Sequence, residues 1–283
     1  MLVNKIGKFK QVKGVTNPKY IVFCDFDETY YPHELNLDKQ KKLYELEDYL
    51  VNKANQQDLV FGWVTGSSIE SVLNKMEKGN LRFLPHFIAS NLGTEIAYFF
   101  KGSFNVADTS WDLHLTKTTF SSGKVEKIIK TLKSQYQIIL EPQTQLGSSR
   151  FKKNFYYKEQ NQAVDEFSLS VIEQLAKKEG ISVNINKCNP FAGDPADSYD
   201  VDFIPSETGK NKIVEFMLHK YGVDFNHSFA FGDSGNDLQM LKSVKHGYLV
   251  GNATNEAKAK HSATSIGEYS DGILTTLKSI IQE

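Results

Sequence analysis

The sequence predicts an α/β protein, with a parallel-sheet core interrupted by an inserted α+β unit. Three observations carry this expectation. Short apolar runs alternate with amphipathic helical stretches at both ends of the chain. The middle is richer in polar residues and tyrosines, and its apolar runs lie next to one another in sequence. The chain has 283 residues, nearly twice the length of a typical domain.

Residues 20–24 (YIVFC) form the first apolar run, which reads as a buried strand. The stretch 38–55 sets Leu43, Leu46, Tyr49 and Leu50 on one helical face. Strand 59–64 (LVFGWV) follows, and in 67–77 Ile69, Val72, Leu73 and Met76 recur at helical spacing. Strand 86–89 (HFIA) closes this half. Strand–helix–strand–helix–strand predicts parallel pairing with right-handed crossovers. The rhythm returns late in the chain with helix 209–221, strand 228–231, helix 236–243, strand 247–250 and a last helix at about 272–281. Between the halves, strands are expected at 95–99, 137–141, 153–158, 181–186 and 199–204, with helices at 123–135 and 163–178. Strands adjacent in sequence predict an antiparallel sheet covered by helices. The expected division is a core of 1–94 with 204–283 and an inserted unit of 95–203.

Lys plus Arg number 33 against 34 Asp plus Glu, a net charge of −1. Such a chain has no global field for nucleic acid or an anionic membrane, so any anion must be held locally. Two cysteines are too few for a disulfide framework. The first residues lack the apolar run of a signal peptide, and no segment reaches the ~18 apolar residues of a membrane span. The expectation is a cytoplasmic protein acting on a small molecule, with no obligate protein partner evident.

In open parallel sheets, ligands bind at the carboxyl ends of the strands. After 20–24 comes Asp25-Phe26-Asp27-Glu28-Thr29. After 59–64 comes Thr65-Gly66-Ser67-Ser68, and after 228–231 comes Gly232-Asp233-Ser234-Gly235-Asn236-Asp237. Lys210 opens the helix after 199–204. Four carboxylates at one edge (Asp25, Asp27, Asp233 and Asp237) repel one another. A hard divalent cation with oxygen ligands, Mg²⁺, would relieve that repulsion. Thr65 and Ser67 lie at a strand-to-helix turn, where hydroxyls and free N–H groups can hold a phosphate, and Gly66 allows close approach. A carboxylate nucleophile, a cation and a phosphate cradle together point to phosphoryl transfer through an aspartyl-phosphate.

DFDET, TGSS, the later Lys and GDSGND resemble the four ordered motifs of the haloacid dehalogenase superfamily. The size and position of the insert resemble the larger α/β cap of its Cof-type and sucrose-phosphatase-like branch. Segments such as YIVFCDFDETYYPH, GWVTGSSIESVL, NFYYKEQ, VNINKCNP and AGDPADSYDVDFIP are similar to the kanosamine-6-phosphate phosphatases of that branch. The resemblance implies a Rossmann-like parallel-sheet core with an inserted α+β cap. It implies Asp25 as nucleophile and metal ligand. Asp27 would be acid and base, and would bind the metal through its backbone carbonyl. Asp233 would be a metal ligand, and Asp237 would orient either the metal's water shell or Lys210. Thr65, Gly66, Ser67 and Lys210 would hold the phosphate, with Asn236 supporting it. Neighbouring Asp25 and low solvent access would raise the pKa of Asp27, as an acid at neutral pH requires. Thr29 would brace the backbone.

The resemblance further implies a sugar-phosphate substrate, kanosamine 6-phosphate first. Other phosphatase substrates (sucrose 6-phosphate or glucose 6-phosphate) and a phosphomannomutase-like reaction are the alternatives. An amino sugar wants carboxylates and hydroxyls around it, which makes Glu95, Asn189, Asp194, Asp197 and Asp200 candidates, with Tyr156 and Tyr157 as platforms. His33 is weighed as facing the substrate or as a capping histidine.

Overall fold

The structure is a computed structural model that describes residues 2–100, 103–105, 108–143, 149–188, 190 and 193–281. In chain order the elements open with α1 Leu2–Ile6, β1 Lys10–Gln11, β2 Tyr20–Cys24, α2 Leu37–Asn55 and β3 Leu59–Val64. Next come α3 Ile69–Lys78, β4 Phe83–Leu84, β5 Phe87–Ser90, β6 Glu95–Phe100 and β7 Ser103–Asn105. The middle carries α4 Thr109–Thr116, α5 Ser122–Tyr136, β8 Leu140–Pro142, β9 Lys153–Lys158, α6 Gln162–Lys178, β10 Ile181–Lys187 and β11 Ser198–Pro205. The chain closes with α7 Lys210–Tyr221, β12 Ser228–Gly232, α8 Leu238–Lys242, β13 His246–Leu249, α9 Asn255–Lys260 and α10 Tyr269–Ile280.

The chain divides into two compact units, Met1–Asp108 with Lys210–Glu283, and Thr109–Gly209. The first unit holds a seven-stranded sheet in the order β13-β12-β2-β3-β5-β6-β7. The run from β13 to β5 is parallel, because each crossover carries a helix back across the sheet. On one face, Val22, Phe61, Trp63, Ile88 and Phe229 pack against α2, α3 and α10 through Leu43, Leu50, Val72, Met76 and Leu277. The other face is covered in part by α7, whose Tyr221 ring lies 6.5 Å from that of Phe87.

The boundary expected at residue 95 falls elsewhere. Glu95–Phe100 joins the core sheet antiparallel to β5, with Ile88 opposite Ala97 and Ser90 opposite Glu95. The tight turn at Asn91–Gly93, with Asn91 and Leu92 at φ +50° and +60°, reverses the chain there. Ile96, Ala97 and Phe99 then bury with the core. Helix α4 had no counterpart in the sequence reading. Its buried residues are Trp111 and Leu115, too few to stand out as a periodic pattern.

The second unit has an antiparallel sheet in the order β10-β11-β9-β8. Helices α5 and α6 cover one face through Val125, Ile128, Leu132, Val171 and Ile172, packed on Val201, Phe203 and Tyr157. Strand alternation turns the register-paired Asp202–Asn154 and Asp200–Tyr156 to the opposite, polar face. Among the described residues, no helix is long and apolar enough to cross a membrane.

Candidate active site

The parallel order places the ends of β2, β3 and β12 side by side on one edge of the core sheet. β2 delivers Asp25, whose backbone N–H donates to the Phe231 carbonyl of β12 at 2.9 Å. β12 delivers Asp233, and the short turn Gly235–Asp237 that follows brings Asp237 back beneath it. Gly232 makes this turn possible, since a Cβ there would lie 2.3 Å from the Cβ of Asp237.

Lys210, the first residue of α7, is buried between two carboxylates. Its Nζ donates to Asp25 Oδ1 at 2.7 Å and to Asp237 Oδ1 at 2.6 Å, and lies 3.5 Å from Asn236 Oδ1. Asp237 Oδ2 accepts from the backbone N–H groups of Asp233 and Ser234 at 3.0 and 3.1 Å. Both oxygens of Asp237 are therefore engaged, and its visible work is to brace Lys210 and the turn. Thr29 donates to Asp233 Oδ1 at 3.0 Å, a link from the first motif to the last.

Burial raises the carboxyl of Asp25 well above the ordinary range, Lys210 opposes the rise, and Asp237 and Asp27 add to it. Asp233 is raised in the same direction by burial, Asp237 and Asp25. Burial disfavours the charged Lys210, but Asp237 and Asp25 outweigh it and hold the ammonium. Asp25, Asp233 and Asp237 each place a carboxyl oxygen within 4.8 Å of the others. All-oxygen donors whose charges repel in a buried site fit a hard divalent cation such as Mg²⁺.

The fourth aspartate does not join them. The carboxyl of Asp27 turns toward β3 and α3, where Oδ2 accepts from Ser67 Oγ at 2.9 Å and Oδ1 from Lys75 Nζ at 2.6 Å. His33 Nε2 lies 2.8 Å from the same Oδ1. The expected rise in its pKa is reversed. Burial works upward, but the His33 hydrogen bond and the Lys75 charge outweigh it and hold Asp27 at about 2. The turn expected to hold phosphate is shaped locally: Ser67 N–H donates to Thr65 Oγ1 at 3.0 Å, and Ser68 caps α3 by accepting from Ser71 N. Gly66 sits against Leu92, 3.3 Å from where its Cβ would be.

Lys75 escaped the sequence reading, and one signal could have found it. It lies two helical turns past the capping Ser68, and long helical side chains lean toward the helix N-terminus. His33 is fixed by Glu28, whose Oε1 accepts from the His33 backbone N–H at 2.9 Å.

The sugar candidates scatter. Glu95 is in the core unit, where its Oε2 accepts from Asn91 Nδ2 at 2.9 Å. Tyr157 is buried on the helix-covered side of its sheet and donates to Asp165 at 2.8 Å, so it offers no platform. Asn189 lies outside the described residues. Asp197 is exposed, 3.5 Å from Lys158. Asp200 remains on the polar face, with Gln143 donating to it at 2.7 Å, while Tyr156 donates to Asp194 at 2.8 Å. Burial, Asp194 and Asp202 raise the Asp200 carboxyl to about 6.

Residues 18–279 match the family model of sucrose-6F-phosphate phosphohydrolase. The chain is 54% identical over 281 residues to the kanosamine-6-phosphate phosphatase of Bacillus subtilis (strain 168), covering 99% of each. Among solved structures it superposes on yhjK, a haloacid dehalogenase-like hydrolase protein from Bacillus subtilis, with TM-score 0.81, 54% identity and coverage of 99% and 98% of the two chains. The sucrose-phosphatase from Synechocystis sp. PCC6803, solved with sucrose and phosphate, shares the fold at TM-score 0.71 and 17% identity, over 93% of this chain and 98% of that one.

Proposed function

This chain belongs to the sucrose-6F-phosphate phosphohydrolase family of haloacid dehalogenase-like hydrolases and is a phosphoric monoester hydrolase, and we propose that it hydrolyses kanosamine 6-phosphate with Mg²⁺ through an aspartyl-phosphate. One observation carries the chemistry: Asp25 directly follows β2, beside Lys210 and two residues before a second carboxyl, Asp27. The 54% identity to a kanosamine-6-phosphate phosphatase, which runs through both units, carries the substrate.

Asp25 attacks phosphorus, the bond from phosphorus to the sugar oxygen breaks, and Asp27 gives that oxygen a proton. Water then attacks the same phosphorus, Asp27 takes its proton, and the bond to Asp25 breaks to release phosphate. Asp25 and Asp233 would hold Mg²⁺, which when bound would supply positive charge to stabilise the phosphoryl oxygens. Lys210 lowers the Asp25 carboxyl against the upward push of burial and faces the phosphate, while Thr65, Gly66 and Ser67 form the turn assigned to its oxygens. In the free protein Asp27 holds no proton at neutral pH. A phosphate dianion beside it favours the protonated form and supplies the upward push that the surrounding donors withhold. Asp200, raised by burial and then by Asp194 and Asp202, is the carboxylate of the inserted unit we assign to the sugar ammonium, since a cation favours its charged form.

The family model favours a second reading, sucrose 6-phosphate. The test is phosphate release from kanosamine, glucose and sucrose 6-phosphates with Mg²⁺. The proposal expects kcat/KM for the amino sugar at least about tenfold above the others, as polar discrimination allows. A sucrose or glucose phosphate preferred over the amino sugar overturns it.

A further inference from the structure

The three donors around Asp27 treat its two oxygens differently. Among the described residues, Oδ1 receives Lys75 Nζ at 2.6 Å and His33 Nε2 at 2.8 Å, whereas Oδ2 receives only Ser67 Oγ at 2.9 Å. A carboxylate has about four lone-pair sites, so the open one lies on Oδ2. Oδ2 is also the oxygen on the side of the phosphate turn, because Ser67 belongs to that turn. We propose that Lys75 and His33 are positioning residues that grip Asp27 by Oδ1 and thereby present Oδ2 to the leaving-group oxygen. This rests on the reading of Asp27 as acid and base.

The terminal torsion of an aspartate is broad, so a carboxyl at the end of a strand does not orient itself. Charge-assisted bonds are short and directional, and two of them on one oxygen fix the carboxyl plane. Each gripping residue is itself anchored. Lys75 stands beside the buried Met76 on α3, and its Nζ also lies 3.4 Å from Ser67 Oγ. The His33 ring has Nδ1 3.2 Å from Glu28 Oε1. Glu28 holds a left-handed backbone at φ +57°, tied down by Asn252 Nδ2 donating to its carbonyl at 2.7 Å. The grip joins the first motif, the helix after the second and the late loop at Asn252.

The experiment compares two leaving groups. A sugar alkoxide needs a proton as it departs, whereas p-nitrophenolate leaves without one. kcat/KM is measured on the preferred hexose 6-phosphate and on p-nitrophenyl phosphate for the wild type, Asp27→Asn, Lys75→Met and His33→Leu. Lys75→Arg and His33→Gln, which keep a donor, test rescue. Removal of an acid costs about 10²–10⁴-fold on the sugar phosphate. The proposal expects Lys75→Met and His33→Leu to lose at least about tenfold more on the sugar phosphate than on the nitrophenyl ester, as a partial loss of that effect. Lys75→Arg and His33→Gln should recover most of the difference. Equal losses on both substrates, or no loss on the sugar phosphate, overturn it. If Asp27→Asn is selective and the Lys75 and His33 variants are not, the positioning role alone fails. If Asp27→Asn is itself unselective, the acid–base reading fails, and the grip with it.

Discussion

Replacing Lys210 by Met removes the ammonium wedged between Asp25 and Asp237, at 2.7 and 2.6 Å. The three side chains are almost wholly buried, so water cannot replace the lost partner. Breaking a buried ion pair from one side costs about 3–5 kcal/mol. For a domain of this size each kcal/mol moves the melting temperature by about 2–4 °C, which gives a drop of about 6–20 °C at pH 8. The pH dependence is the sharper part. Lys210 lowers the Asp25 carboxyl against the upward push of burial, so the variant raises it further. A carboxyl whose folded pKa exceeds its unfolded value destabilises the fold once pH passes the unfolded pKa, fully so above the folded one. At pH 5 Asp25 takes up a proton and the damage shrinks. The assay is thermal melting of wild type and Lys210→Met without metal at pH 5 and pH 8. A loss equal at both pH values, or no loss at pH 8, would refute the argument that Lys210 compensates two buried charges.

Two further outcomes are expected. Gly232→Ala drives a Cβ to 2.3 Å from the Asp237 Cβ, in a turn pinned by backbone donors. Overpacking of this kind costs about 1–3 kcal/mol, and phosphatase activity should fall with the displaced Asp237; an unchanged melt and turnover would show that the turn can yield. Mg²⁺ should raise the melting temperature of the wild type more at pH 8 than at pH 6, because raised folded pKa values for Asp25 and Asp233 mean that protons compete with the cation at the lower pH. At about a hundredfold excess over Kd the stabilisation is about 2.7 kcal/mol, read by thermal melting. Equal shifts at both pH values would count against these carboxylates as the ligands.

The parts of the fold set by local pattern were legible. Strands 20–24 and 59–64 agree with the structure residue for residue, because short apolar runs bounded by polar turns have one burial solution in a parallel sheet. The strand at 95 was legible as a strand but not as a member of the core sheet. Period-two alternation does not say which neighbour a strand will pair with, and the reversal at Asn91–Gly93 decided that. Tyr156 and Tyr157 are equivalent in composition, yet register puts one beside Asp194 and the other in the helix-packed core.

The motif order and the parallel sheet it implies were determined by sequence, since each acidic or hydroxyl cluster directly follows a strand and all strand ends in such a sheet face one edge. The partners within that edge were decided by tertiary structure alone. Four aspartates read as one repelling cluster. In the folded chain three of them converge with Lys210, and the fourth, two residues along the same segment, is claimed by Ser67, Lys75 and His33. The reason is geometric. Successive residues past a strand end point to different sides, and side chains from a helix two turns away or a loop six residues on become neighbours only when the chain is folded.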